Sequence, residues 1–131
     1  MKEKKVFIID DDKFVLKSTA KLFRSYEVDV HCHNVPEVAL RALIQHKPAI
    51  VFLDYHMPGL SGMDVIIKLS EERVLNEMAL YMFSMTDFTN EDVVRLRTLG
   101  FYNIFKKPLK FSTIDQIFLD HLGHIPYKKT S

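Results

Sequence analysis

The sequence has little cysteine, little net charge and no long apolar run. Its 131 residues include one cysteine, Cys32, which excludes an internal disulfide and leads us to expect a reducing, cytoplasmic environment. The formal net charge is +1, from 18 basic and 17 acidic residues, so we expect neither direct binding of nucleic acid nor attraction to a membrane surface. No apolar stretch approaches the roughly 20 residues that a membrane-spanning helix needs.

Short apolar runs do alternate with amphipathic segments along the chain. Five such βα units predict an α/β fold, a three-layer sandwich around a five-stranded parallel sheet. We expect one domain over residues 1–131, with its core in 4–123 and a short polar tail in 124–131. The predicted strands are 5–9, 28–32, 49–53, 79–83 and 102–105, and the predicted helices are about 13–26, 34–47, 63–70, 90–99 and 114–122.

Helix boundaries are indicated by capping residues and by helix breakers. Asp12 precedes the first helix and Asn34 the second, and both have side chains that can accept hydrogen bonds from free backbone N–H groups. Thr89 or Asn90 is predicted to open the fourth helix, which Gly100 ends.

Polar residues follow the apolar runs at the carboxyl ends of four predicted strands. Asp10 and Asp11 follow the first strand, Asp54 the third, Ser84 the fourth and Lys107 the fifth. Ligands of open α/β sheets bind beyond these strand ends, so we expect the five side chains to converge. Two carboxylates roughly 4 Å apart repel by about 4 kcal/mol at an effective dielectric of about 20, so such a site needs a cation or a proton.

The predicted chemistry follows from these residue types. Carboxylate and carbonyl oxygens suit Mg²⁺, so we expect Asp10, Asp11 and Asp54, with the backbone carbonyl of His56, to bind this cofactor. Asp54 stands alone at the end of a central strand and is the candidate nucleophile for a phosphoryl group. The Ser84 hydroxyl and the Lys107 ammonium are the groups expected to contact the phosphoryl oxygens.

Four segments together resemble a response-regulator receiver domain of two-component signalling, over about residues 4–123. They are 8–12 (Ile-Ile-Asp-Asp-Asp), 54–62, which contains Pro58, Gly59 and Gly62, then Ser84, and Lys107 with Pro108. The resemblance implies a flavodoxin-like sheet with strand order 2-1-3-4-5. It also implies a cis peptide bond between Lys107 and Pro108.

The same resemblance implies partners and a switch. A histidine kinase or a histidine phosphotransfer protein would phosphorylate Asp54 with Mg²⁺. The face made by helix four, strand five and helix five, residues 89–122, would then change shape to bind an effector protein or an output domain, or to form a homodimer. The protein would not be an enzyme beyond catalysing its own phosphorylation and dephosphorylation.

One departure from the family pattern, two variable positions and two alternatives accompany this interpretation. Ile104 stands where the family often has an aromatic switch residue, while His56 and Thr86 occupy positions that vary among similar domains and tune the phosphoryl lifetime. One alternative is a Mg²⁺-dependent aspartyl-phosphate hydrolase. Such enzymes often carry the motif Asp-x-Asp, whereas this chain has His56 two residues after Asp54, in place of the second aspartate. The other is a module that binds proteins without phosphorylation.

The segment His31-Cys32-His33 contains metal-ligand residue types. Strand alternation places both histidines on one side and the cysteine on the other, so we do not expect a metal there.

Overall fold

The computed structural model describes residues 4–129, which form an α/β fold around one parallel sheet. The strand order is β2-β1-β3-β4-β5, which confirms the predicted topology. The strands are β1 (Lys5–Ile9), β2 (Asp29–His33), β3 (Ile50–Asp54), β4 (Ala79–Ser84) and β5 (Asn103–Lys106), and the helices are α1 (Lys13–Leu22), α2 (Pro36–His46), α3 (Gly62–Glu71), α4 (Asn90–Leu99) and α5 (Phe111–Leu122).

Helices cover both faces of the sheet. Side chains of α2, α3 and α4 pack with one set of strand residues, and side chains of α1 and α5 pack with the other set. Every residue of β3 and β4 is buried, as expected for strands covered on both faces. No helix within residues 4–129 is long and apolar enough to cross a membrane.

The helix caps partly match the prediction. The Asp12 carboxylate accepts hydrogen bonds from the backbone N–H groups of Phe14 (2.9 Å) and Val15 (3.2 Å), and Thr89 caps α4 in a capping box. Asn34 was wrong as a cap, because Val35 occupies the N-cap position of α2 without a side-chain hydrogen bond. Pro36 follows Val35 in the first turn. Because proline has no backbone N–H group, fewer free donors remain there that need a capping side chain.

The first helix ends earlier than predicted. α1 stops at Leu22, a 3₁₀ turn covers Phe23–Ser25, and Tyr26 is extended. Strands β2, β3 and β5 each begin and end one residue later than expected. The shift of β3 matters for function, because it makes Asp54 the last residue of the strand, paired with Phe83 of β4.

The predicted polar tail is held against the fold as far as the structure describes it. Tyr127 forms an antiparallel bridge with Tyr26, and the Lys128 N–H donates to the Ser25 carbonyl at 2.9 Å. The hydroxyls of Tyr26 and Tyr127 donate to opposite oxygens of Asp115, at 2.6 and 2.7 Å. Hydrogen bonds thus link the tail both to the turn that follows α1 and to Asp115 of α5. Residues 130 and 131 of the tail prediction lie outside the described residues.

Candidate functional site

The carboxyl edge of the sheet brings together side chains that are far apart in sequence. Asp10 follows β1 and is completely buried, Asp54 ends β3 with 5% exposure, and Ser84 ends β4 and is also completely buried. Ser84 pairs with Lys106 in the β4–β5 ladder, so Lys107 follows directly beside it. Together with the β1–β3 and β3–β4 ladders, this pairing brings all four groups to one edge of the sheet.

The Lys107 ammonium lies between two carboxylates. Its Nζ is 2.7 Å from Asp10 Oδ2 and 3.2 Å from Asp54 Oδ1, and its side chain is 7% exposed. It also lies 4.7 Å from the centre of the Phe83 ring, a distance that allows a cation–π attraction. The peptide bond between Lys107 and Pro108 is cis, as the family resemblance implied.

Burial and the neighbouring charges shift the pKa values of Lys107 and Asp54. Burial lowers the pKa of Lys107, but the hydrogen bond to Asp10 and the charges of Asp10 and Asp54 outweigh it, so the pKa is raised overall. Lys107 is therefore protonated at neutral pH. Burial, followed by the negative charge of Asp10, raises the pKa of Asp54 from 3.8 to about 6, although Lys107 opposes this increase. The site therefore carries more negative charge than Lys107 alone neutralises.

Three carboxylates of this site can serve together as oxygen ligands. One oxygen from each of Asp10, Asp11 and Asp54 lies within 4.8 Å of the others. This donor set contains only hard oxygen atoms, which are the ligands that Mg²⁺ prefers. The raised pKa of Asp54 independently indicates that a cation would relieve repulsion here. The cluster fits a divalent metal ion.

The loop after β3 is held closely against the sheet. The Tyr55 N–H donates to the Phe83 carbonyl at 3.2 Å, and the Gly62 N–H donates to the Tyr55 carbonyl at 3.0 Å. A Cβ atom at Gly62 would lie 2.5 Å from Met82 Cε and 3.3 Å from Tyr55 Cα, so a larger residue would displace its neighbours. These contacts anchor the loop at Tyr55 and Gly62, on either side of His56.

The structure adds a contact that sequence reasoning missed. Ser84 Oγ lies 3.0 Å from Thr86 Oγ1 and accepts a hydrogen bond from the Thr86 N–H at 3.2 Å. Thr86 Oγ1 in turn lies 3.5 Å from His56 Nε2. A hydroxyl two residues after another, in the turn that follows a strand, was the sequence signal for this contact.

The histidines of β2 lie outside the site. His31 and His33 both pack against the Phe7 ring, with centroid distances of 5.0 and 5.1 Å, while Cys32 is exposed. The two sides predicted from strand alternation are therefore observed. Among residues 4–129, the one cluster with three metal-ligating side chains in reach of a common ion is Asp10, Asp11 and Asp54.

The fold and site define a doubly wound α/β domain with an acidic, lysine-bridged site at its carboxyl edge. The model of the response regulator receiver domain matches residues 6–118, so the chain belongs to this family. It is a signalling domain of response regulators.

Known proteins support this assignment. The response regulator protein TmoT of Ectopseudomonas mendocina is 31% identical over 108 residues, which cover 82% of this chain and 48% of TmoT. The chain thus spans about half the length of this relative. The receiver domain of a LuxO repressor protein from Vibrio parahaemolyticus aligns with a TM-score of 0.83 at 16% identity, covering 93% of this chain and 92% of the other.

A second solved structure is the BeF3-activated receiver domain of DrrB. It aligns with a TM-score of 0.77 at 20% identity and covers 94% of this chain and 100% of the DrrB domain. Identities this low bear on the fold alone.

Proposed function

We propose that Asp54 accepts a phosphoryl group from a histidine kinase or a histidine phosphotransfer protein. The observation that carries this proposal is the Lys107 ammonium, 2.7 Å from Asp10 and 3.2 Å from Asp54. This arrangement leaves one carboxylate beside a fixed positive charge at the edge of the sheet. Charge neutralisation and positioning are what phosphoryl transfer chiefly requires.

The transfer exchanges one bond to phosphorus for another. A carboxylate oxygen of Asp54 attacks the phosphorus of the donor's phosphohistidine, and the new P–O bond forms as the P–N bond breaks. The electron pair of the broken bond stays on the imidazole nitrogen, which takes up a proton. Lys107 and the Ser84 hydroxyl then contact the phosphoryl oxygens.

The acidic cluster completes the charge balance of the proposed reaction. Asp10, Asp11 and Asp54, with the backbone carbonyl of His56, would hold Mg²⁺, which supplies positive charge to the phosphoryl oxygens. Because Asp10 and Asp54 are almost completely buried, their negative charge is poorly screened by water. We therefore expect phosphorylation to require a divalent cation.

The output surface is proposed to be the face made by α4, β5 and α5. Exposed apolar side chains on this part of the chain give it the character of a protein-binding surface. The partner would be an effector protein, an output domain or a second copy of the chain. The exposed side chains are Val94, Leu99, Tyr102, Phe111 and Leu119.

Acetyl phosphate, a small phosphoryl donor, tests the proposal directly. With Mg²⁺ the protein should gain about 80 Da, the mass of one phosphoryl group, on the peptide that contains Asp54. The gain should disappear in Asp54→Asn and in EDTA. It should persist in Asp87→Asn, because Asp87 is 83% exposed and pairs with Lys106, outside the acidic cluster.

Two results would contradict the proposal. No mass gain on the wild-type protein would favour a module that binds proteins without phosphorylation. Sustained release of inorganic phosphate from small phosphate esters would favour a Mg²⁺-dependent hydrolase.

A further inference from the structure

The Ser84 hydroxyl is already engaged in the free protein. Ser84 is completely buried, and its Oγ contacts both the hydroxyl and the backbone N–H of Thr86, at 3.0 and 3.2 Å. The Thr86 hydroxyl lies between Ser84 and His56 Nε2, which is 3.5 Å away. The side chains of Ser84, Thr86 and His56 thus form a row of three polar groups.

A serine hydroxyl has a single proton to donate. When that proton points to Thr86 Oγ1, it cannot point to a phosphoryl oxygen on Asp54. The Thr86 N–H donates to Ser84 Oγ and does not compete for the proton. Among the side chains of residues 4–129, the one bonded to Ser84 Oγ is that of Thr86. When Ser84 is the donor, this bond opposes the one that a phosphoryl group needs.

Ile104 of β5 offers no comparable restraint on the Ser84 hydroxyl; the β5 side chain that forms an ion pair with the β4–α4 loop is Lys106, which pairs with the exposed Asp87 at 3.0 Å. Ile104 is apolar, and its side chain packs against the core cluster on the side of α2, α3 and α4. It cannot form a hydrogen bond to the β4–α4 loop. The side-chain hydrogen bond of Ser84 observed in this structure is instead to Thr86, within that loop.

We propose that Thr86 is a positioning residue that holds the Ser84 hydroxyl away from Asp54 until a phosphoryl group competes for its proton. This inference rests on the proposed phosphorylation of Asp54. In this proposal Ser84 donates the hydrogen bond to Thr86 Oγ1, so the bond must be given up on activation and weakens the affinity of the site for phosphoryl groups. The β4–α4 loop, residues 85–89, then moves with Thr86, and Phe88 carries this movement to Tyr55, whose ring is 5.2 Å away.

Beryllofluoride, a phosphoryl analogue, tests the inference when titrated with Mg²⁺ and followed by the amide resonances of residues 84–89. Thr86→Val keeps the shape and the backbone N–H but removes the hydroxyl. It should bind beryllofluoride about two- to tenfold more tightly, the range expected for the loss of one competing hydrogen bond. Thr86→Ser, which restores a hydroxyl, should return the affinity to the wild-type value.

A double-mutant cycle separates positioning from a general effect on the loop. In a Ser84→Ala background, Thr86→Val should leave the affinity unchanged, because no serine proton remains to compete for. An equal gain in both backgrounds, or no gain in either, would overturn the role of Thr86. If the wild-type protein does not bind beryllofluoride at all, the proposed phosphorylation of Asp54 fails, and the inference fails with it.

Discussion

Removing the Asp54 charge should stabilise the metal-free protein. The pKa of Asp54 rises from 3.8 to about 6 because of burial and the charge of Asp10. Each pKa unit corresponds to about 1.4 kcal/mol, so ionised Asp54 costs the folded state up to about 3 kcal/mol at pH 8. Lys107 keeps its 2.7 Å contact with Asp10 in an Asp54→Asn variant. Since a buried amide has its own desolvation cost, we expect a gain of about 1–3 kcal/mol.

The pH dependence gives the sign of this effect. Because the pKa of Asp54 is higher in the folded than in the unfolded protein, folded Asp54 keeps its proton to a higher pH. The wild-type protein therefore loses stability as the pH rises from about 4 to about 6, the pKa of folded Asp54. Asp54→Asn lacks this loss, so its advantage should grow through this window and stay constant above it.

Urea unfolding in EDTA, at pH 5 and at pH 8, measures the effect. The free energy of unfolding should favour Asp54→Asn more strongly at pH 8. Asp87→Asn is a matched control, since Asp87 also pairs with a lysine but is 83% exposed, and it should change stability by no more than about 1 kcal/mol. If Asp54→Asn were less stable than wild type at pH 8, the cost of burying the Asp54 charge beside Asp10 would not govern the stability of this site. Adding Mg²⁺ should stabilise wild type more than the variant.

Three further predictions concern other charges and hydrogen bonds. Lys107→Met removes the cation that opposes the raised pKa of Asp54, so carboxyl NMR titration should show an Asp54 pKa above the wild-type value. His33→Gln should reduce the loss of stability below about pH 6.5, measured by urea unfolding relative to wild type. The reason is that burial and the neighbouring His31 and His46 lower the pKa of His33, so the unfolded chain takes up the proton first. Tyr26→Phe should lower the free energy of unfolding by about 1–3 kcal/mol, because it loses the partly buried 2.6 Å hydrogen bond to the Asp115 carboxylate. An unchanged pKa, an unchanged acid-side slope or an unchanged unfolding midpoint would contradict the respective prediction.

The local pattern of the sequence was enough to predict the architecture. Runs such as 49–53 are apolar without interruption, which indicates a strand covered on both faces. Parallel strands align their carboxyl ends, so residues that follow such runs, like Asp10 and Asp54, were expected to meet. Asp12 was recognised as a cap, and Thr89 as one of two candidates with Asn90, because a cap depends on its immediate neighbours in the chain. Asn34 failed because Val35 and Pro36 changed where α2 begins.

Other features depend on groups that approach one another only in the folded chain. The position of Lys107 between Asp10 and Asp54 follows from the register of β4 and β5, which sequence alone does not give. Tyr26, Asp115 and Tyr127 form their cluster because α1 and α5 pack on the same face of the sheet. Apolar periodicity is local, so the order of residues along the chain is enough to place these residue types at the strand ends. Which of these residues form hydrogen bonds or ion pairs with one another depends on the folded chain. Such contacts require distances of about 3 Å between segments that are far apart in the sequence.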